Sequence, residues 1–161
     1  MAKKRSHPEQ NRVIENRRAR HEYAIAETLE VGIQLAGTEV KSVRAGEVSL
    51  GEGFITATEA PCALDLHQVN IGEYAPAGPR QHKLTRVRRL LAHKKEIVRL
   101  ARAAEKKGAT IVPLKMYFNN GYAKLLIGLG MGKGSVDKRD SIREREMQRD
   151  IDRAMSKKIR F

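Results

Sequence analysis

Tryptophan is missing from this chain, cysteine occurs once, and Tyr and Phe together number seven in 161 residues. One cysteine cannot close an internal disulfide, so a reducing compartment is expected. Cys62 lies in the apolar run CALDL and reads as a small core residue, not a nucleophile. No run approaches the ~18 apolar residues of a membrane span, and the basic start MAKKRSHPEQ is followed by no apolar stretch. The expectation is a cytoplasmic protein without a membrane contact. Motifs for catalysis are equally scarce. His7, His21, His67, His82 and His93 lack metal-ligand spacing. GLGMGKG lacks the phosphate-loop pattern, because Gly134 separates Lys133 from Ser135, and there is no G-x-S-x-G elbow. Glu39 and Lys41 can be imagined as an acid/base pair, yet on a short helix they are better read as packing or salt-bridge groups. No enzyme, cofactor or metal is expected. The shortage of rings also argues against a reader of single strands, which stacks bases on aromatics, and for recognition of folded RNA by shape and charge.

What the chain does have is positive charge. It carries 32 Lys and Arg against 19 Asp and Glu, a formal net charge of +13. Such an excess points to a polyanion, since phosphate neutralisation supplies most nucleic-acid affinity. The charge is segmental: residues 1–20 carry +5, 21–79 carry −7, 80–107 carry +9, 108–132 carry +2 and 133–161 carry +4. A mildly acidic body is flanked by basic segments. Arg86, Arg88, Arg89, Lys94, Lys95, Arg99 and Arg102 crowd one of them, read either as a solvated helix face or as a contact to RNA backbone.

The organisation follows from patterning. Residues 1–20 are polar, charged and read as a flexible N-terminal segment. Residues 21–132 read as the folded body. HEYAIAETLEVGIQL alternates as two short strands, or as one bent at Gly32. Thr38 can cap a short helix over Glu39–Arg44, with Gly46 as its stop. VSLGEGFITATEA and CALDLHQVNIGEY read as two or three further strands separated by Pro61, and residues 74–83 as a loop. The stretch KLTRVRRLLAHKKEIVRLARAAEKKG has a one-sided apolar stripe of Leu90, Leu91, Ile97, Val98, Leu100 and Ala101 and predicts a helix. TIVPLKMYF and YAKLLIGLG flank Asn119-Asn120-Gly121, the signature of a β-hairpin, and Pro113 predicts an edge or a bulge. Five to seven strands with two helices fit a mainly β, OB-fold-like antiparallel β-barrel with flanking helices; an open α+β sheet is the alternative. Residues 133–161 form a basic C-terminal tail.

The quoted motifs carry a resemblance. NRRARHEYAIAETLEVGIQLAGTEVKSVRAGEVSL, and within it the pattern G-x-x-L-x-G-x-E-V-K-S-x-R-x-G from Gly32 to Gly46, resembles the signature of the small protein B family, the SsrA-binding proteins of bacterial trans-translation. RRLLAHKKEI, GATIVPLKMYF, AKLLIGLG and the DKR…IREREMQRD tail also match in order. The resemblance implies an OB-fold-like barrel that binds the tRNA-like domain of tmRNA (SsrA RNA) and delivers alanylated tmRNA to stalled 70S ribosomes for peptide tagging. Alanyl-tRNA synthetase and elongation factor Tu would be met indirectly, through tmRNA. The implied tmRNA-binding residues are Asn16, Arg18, Arg20, His21, Glu30, Lys41, Arg44, Leu91 and Lys124. Asn16 and Glu30 would meet base or ribose groups, the cations phosphates, and Leu91 an apolar surface. The implied tail residues, facing small-subunit ribosomal RNA at the decoding centre and the empty mRNA channel, are Lys133, Asp137, Lys138, Arg139, Arg145, Arg149, Arg153 and Met155. The chain departs from the family where Gly134 and Met131 replace common basic residues and Val136 a common histidine. A ribosomal or ribosome-assembly RNA-binding protein with basic tails is the alternative reading.

On a helix the tail gathers Met147, Ile151 and Met155 into a narrow apolar stripe and sets Arg145, Arg149 and Arg153 as a like-charge i,i+4 ladder. Each such like-charge pair costs an isolated helix roughly 0.2–0.5 kcal/mol. Glu146–Arg149 and Asp150–Arg153 return a similar amount. The tail is therefore expected to be disordered alone and helical when bound.

Overall fold

A computed structural model describes residues 12–158; side chains at 135–141 and 156–158 lie outside the description, as do residues 1–11 and 159–161 entirely. The chain begins with a short strand β1 (Ile14–Glu15), a helix α1 (Arg17–Glu22) and a long strand β2 (Tyr23–Ile33). Helix α2 (Gly37–Ala45) follows, then β3 (Val48–Ser49), β4 (Phe54–Thr58), β5 (Ala63–His67) and β6 (Asn70–Ile71). After a single 3-10 turn at Ala75–Ala77 come β7 (Arg88–Leu91), α3 (Lys94–Ala104), the hairpin strands β8 (Ala109–Asn119) and β9 (Tyr122–Gly132), and α4 (Ser135–Lys158).

Strands β8, β4, β5, β7, β2 and β9 are joined in that order by antiparallel pairing, and β9 pairs back to β8. The sheet is a closed ring, so the barrel stands and the open sheet is excluded. β1 lies on β8 beyond the single β4 pairing at Ile111, with Ile14 opposite Met116 and Glu15 opposite Lys115. Inward residues alternate with outward ones, as a barrel requires: Val31, Ile33, Leu64, Leu66, Leu90, Ile111, Met116, Leu125 and Ile127 form the interior. Burying each such side chain is worth about 1.5–3 kcal/mol. Helix α3 covers the end of the ring where β8 begins, inserting Ile97, Leu100 and Ala101. Helix α2 covers the other, with Val43 turned inward. A second, smaller apolar cluster lies outside the ring, where Ala19 of α1 covers Val112 and Leu114, flanked by Tyr23, Ile25 and Leu126.

Several expectations are met. Asn120 and Gly121 take φ of 50° and 83°, both positive, and close the β8–β9 hairpin with a two-residue turn. The register slips between Pro113 and Lys115, the bulge that Pro113 predicts. Others are corrected. β2 is one strand whose bulge falls between Ile25 and Glu27, not at Gly32. Thr38 does not cap α2; the Ala36 N–H donates to Glu39 Oε2 at 2.7 Å instead. The longest helix expected within the body is only Lys94–Ala104, because Arg88–Leu91 forms a strand. There Leu90 points in and Leu91 out, an alternation that a helical stripe also satisfies over so few residues. Order is already present before residue 21, since β1 and α1 occupy part of the segment read as flexible. β9 ends at Gly132 and α4 begins at Ser135, on either side of the junction placed at 132/133.

Candidate RNA-binding face

Two of the basic segment's arginines have a purely internal partner. Glu39 is fully buried and receives Arg88 Nε at 2.9 Å and Arg86 Nη2 at 2.7 Å. Arg88, also fully buried, donates to the carbonyls of Val69 at 2.6 Å, Arg86 at 2.9 Å and Leu84 at 2.8 Å. Arg89 pairs with Asp65 at 2.8 Å, Arg99 with Glu27 and Arg102 with Glu59 at 2.7 Å. The acidic segment 21–79 is thus partly neutralised by the basic segment 80–107. Arg88 is excluded from any RNA contact; Lys94 and Lys95 are exposed, as are Arg86, Arg89, Arg99 and Arg102 beside their carboxylate partners.

The expected RNA-facing residues fall into two groups at opposite ends of β2. The upper group is set by register. Leu91 stands opposite Gly32, Gly32 opposite Lys124, and Lys124 opposite Tyr117, so one row crosses β7, β2, β9 and β8. Directly opposed residues share a face, and Glu30, two residues before Gly32, shares it as well. Gly32 leaves a gap in the row, and a Cβ there would lie 3.3 Å from Leu91 Cβ. Leu91 remains 52% exposed beside it. Glu30 accepts a hydrogen bond from the Tyr117 hydroxyl, and its other oxygen lies 3.6 Å from Lys124 Nζ. That hydrogen bond, then burial and the carboxylate charge, push the Tyr117 hydroxyl up to about 12. On α2, the Arg44 guanidinium lies 5.3 Å from the Phe118 ring centre and Lys41 Nζ lies 4.6 Å from that of Tyr74. Both are cation–π distances. Arg44 Nε is buried without a hydrogen-bond partner among the described residues.

The lower group surrounds α1. Arg18 pairs with Glu22 at 2.8 Å and also with Glu52. Arg20 is exposed and His21 half-buried. Lys133 donates its backbone N–H to Glu22 O at 2.8 Å and its Nζ to Arg20 O at 3.3 Å, satisfying carbonyls at the end of α1. Lys133 therefore fastens the root of the tail to the lower group. Tyr23 and Gly32 are nine residues apart on β2, about 30 Å at ~3.3 Å per residue.

Asn16 is the exception. Its side chain is 5% exposed and committed to backbone. Nδ2 donates to Leu50 O and Pro113 O, both at 2.9 Å, and Oδ1 accepts from Ala19 N at 3.0 Å as the N-cap of α1. Both amide hydrogens are used, so the Asn16 side chain positions α1 and has no amide donor left to offer RNA. In the tail, α4 carries Arg145, Arg149, Arg153 and Met155 exposed, with Ile142, Met147 and Ile151 exposed too. Arg153 Nη1 lies 3.5 Å from Asp150 Oδ1, one of the expected i,i+3 pairs. Asp137, Lys138 and Arg139 are helical in backbone, and their side chains lie outside the described residues.

Residues 13–157 match the sequence model of the family described as SmpB protein. The chain belongs to the SmpB protein family. Among curated relatives, the SsrA-binding protein of Levilactobacillus brevis is 48% identical over 158 residues, covering 96% of this chain and 98% of that protein. The SsrA-binding protein of Halalkalibacterium halodurans is 45% identical over 148 residues, covering 92% and 95%. A solved structure described as "tmRNA-SmpB: a journey to the center of the bacterial ribosome" is similar with a TM-score of 0.66 and 46% identity, over 81% of this chain and 94% of that one.

Sequence reasoning does not single out Tyr117, Phe118 and Tyr74 as the side chains that contact Glu30, Arg44 and Lys41. The signal for Tyr117 was present. A two-residue turn at Asn120-Gly121 sets Asn119 against Tyr122, and counting back two pairs sets Tyr117 against Lys124. Nothing comparable ties Phe118 to α2 or Tyr74 to Lys41, because those contacts join segments with no shared register.

Proposed function

We propose that this protein is an RNA-binding adaptor without catalytic chemistry of its own. It binds the tRNA-like domain of tmRNA and brings alanylated tmRNA to stalled bacterial ribosomes in the cytoplasm for trans-translation. The observation that carries the reading is the row Leu91–Gly32–Lys124, with Glu30 beside it. It sets an apolar side chain, a gap, a cation and a carboxylate acceptor on one face of a rigid ring. Lys124, Arg44 and Lys41 supply phosphate contacts, Glu30 accepts from a base or ribose group, and Leu91 takes an apolar surface. Around α1, Arg18, Arg20 and His21 extend the face. Family membership and the SsrA-binding relatives support the same partner.

Helix α4 serves the second partner. Its arginines meet small-subunit ribosomal RNA at the decoding centre and along the empty mRNA channel, with Lys133, Asp137, Lys138 and Arg139 at the entry. Among its described side chains Ile142, Met147, Ile151 and Met155 are exposed, and contact with that RNA is what stabilises the helix.

The test is binding of the protein to a transcribed tRNA-like fragment and to an unrelated hairpin of equal length. Tight fragment binding with a salt slope that falls by about one unit in Lys124→Ala is expected. Equal affinity for both RNAs would refute the reading.

A further inference from the structure

From the contacts of Glu30 we infer that Tyr117 is a positioning residue of the RNA-binding face. Its hydroxyl fixes the Glu30 carboxylate through Oε2, so that Glu30 and Lys124 present an acceptor and a cation in a set geometry to one nucleotide. The inference rests on the proposed tRNA-like partner and goes beyond it.

Glu30 has two neighbours on the outer face, one at each carboxylate oxygen. The Tyr117 hydroxyl donates to Oε2, while Lys124 Nζ lies 3.6 Å from Oε1. At that separation Lys124 and Glu30 form a long ion pair without a hydrogen bond. A pair this loose leaves the ammonium donors of Lys124 free to turn to RNA, but by itself it does not fix the carboxylate. The tyrosine hydroxyl supplies that fixing, since Tyr117 is anchored in β8 and half-buried. It is a neutral donor, so it fixes Glu30 without cancelling its charge.

The consequence is chemical. Glu30 is held as a hydrogen-bond acceptor inside a cationic surface. Such a group repels phosphate and rewards a hydrogen-bond donor, either a base N–H or a ribose 2′-hydroxyl. Lys124 beside it keeps its three donors for a phosphate. Across the gap at Gly32, exposed Leu91 meets the apolar face of the same nucleotide or of its neighbour. The row thus selects a nucleotide that offers a donor edge, where charge alone would accept any phosphate.

The experiment uses full-length protein and the transcribed tRNA-like fragment at fixed salt, with a double-mutant cycle over Tyr117 and Glu30. Tyr117→Phe is expected to weaken fragment binding by roughly tenfold, the scale of one charge-assisted hydrogen bond. Thermal stability should stay close to that of wild type. In a Glu30→Ala background, Tyr117→Phe should cause no further loss, because nothing remains to be positioned. Glu30→Gln serves as the volume-preserving alternative. Single 2′-deoxy substitutions in the fragment separate the donors: one that reproduces the Glu30→Ala loss supports a ribose hydroxyl, and insensitivity at every position supports a base edge. Wild-type affinity for Tyr117→Phe, or a full and additive loss in the Glu30→Ala background, would overturn the inference while leaving the partner intact. Failure of the wild-type protein to discriminate the fragment would instead sink the partner.

Discussion

Glu39 and Arg88 meet inside the protein, Nε to Oε1 at 2.9 Å, and neither side chain has any contact with solvent. The pair joins α2 to β7 and so locks the helix that carries Lys41 and Arg44. Removing one member of a buried ion pair strands the other, which costs about 3–5 kcal/mol. Glu39→Ala is expected to lose stability on that scale in urea denaturation. A Glu39→Leu, Arg88→Met double variant should recover most of it, since no buried charge is then left alone.

The same carboxylate makes stability depend on pH. Burial alone would raise the Glu39 carboxyl, but hydrogen bonds from Arg86 and the Ala36 N–H, with the charges of Arg88 and Arg86, outweigh it and hold the group below the ordinary carboxylate range. The unfolded chain therefore takes up this proton first. The stabilisation is complete above the unfolded-state value and is lost as pH falls through the folded-state value, so wild-type protein should weaken below about pH 4. Glu15 and Glu59, held down by Lys115 and Arg102, act in the same direction from exposed positions. Denaturation midpoints measured from pH 7 to pH 3 should show a shallower decline in Glu39→Gln than in wild type.

Asn16 separates a structural role from a contact role. Asn16→Ala removes a helix cap worth about 1 kcal/mol and takes one donor each from the carbonyls of Leu50, which keeps the Gly53 N–H at 3.1 Å, and Pro113, at a further ~1 kcal/mol per hydrogen bond. The expected result is a clear loss of thermal stability and, at low temperature where the variant is folded, near-normal affinity for the tRNA-like fragment. A large affinity loss in fully folded protein would return Asn16 to the RNA face.

Local pattern suffices where several independent signals agree. The hairpin Ala109–Gly132 was legible because turn chemistry, alternation and Pro113 agree. The β7 strand was not, since four residues of alternation inside a basic apolar stretch fit either period. Arg88 reads as a surface cation because sequence shows charge and conceals burial. Only the closed ring brings it against Glu39, 49 positions away. Glu30, Leu91 and Lys124 were placed by resemblance, and their shared row follows from strand pairing that no local pattern specifies.

The tail makes a sharper prediction than a simple deletion. Because Lys133 satisfies carbonyls of α1, a chain ending at Gly134 keeps that fastening and loses only α4. Fragment binding should stay within about twofold of wild type, a difference of ~0.4 kcal/mol, while tagging on stalled ribosomes is abolished. Circular dichroism of a 133–161 peptide should show low helicity in buffer; strong helicity there would contradict order gained from the partner.

Strand β2 has the upper row at one end and the fastening of the tail at the other, about 30 Å apart. The 24 residues of α4 add about 36 Å of reach when helical. The barrel is then a ruler. An RNA seated on Leu91 and Lys124 fixes the point from which the tail departs, and no residue between them needs to touch either partner for that distance to be kept.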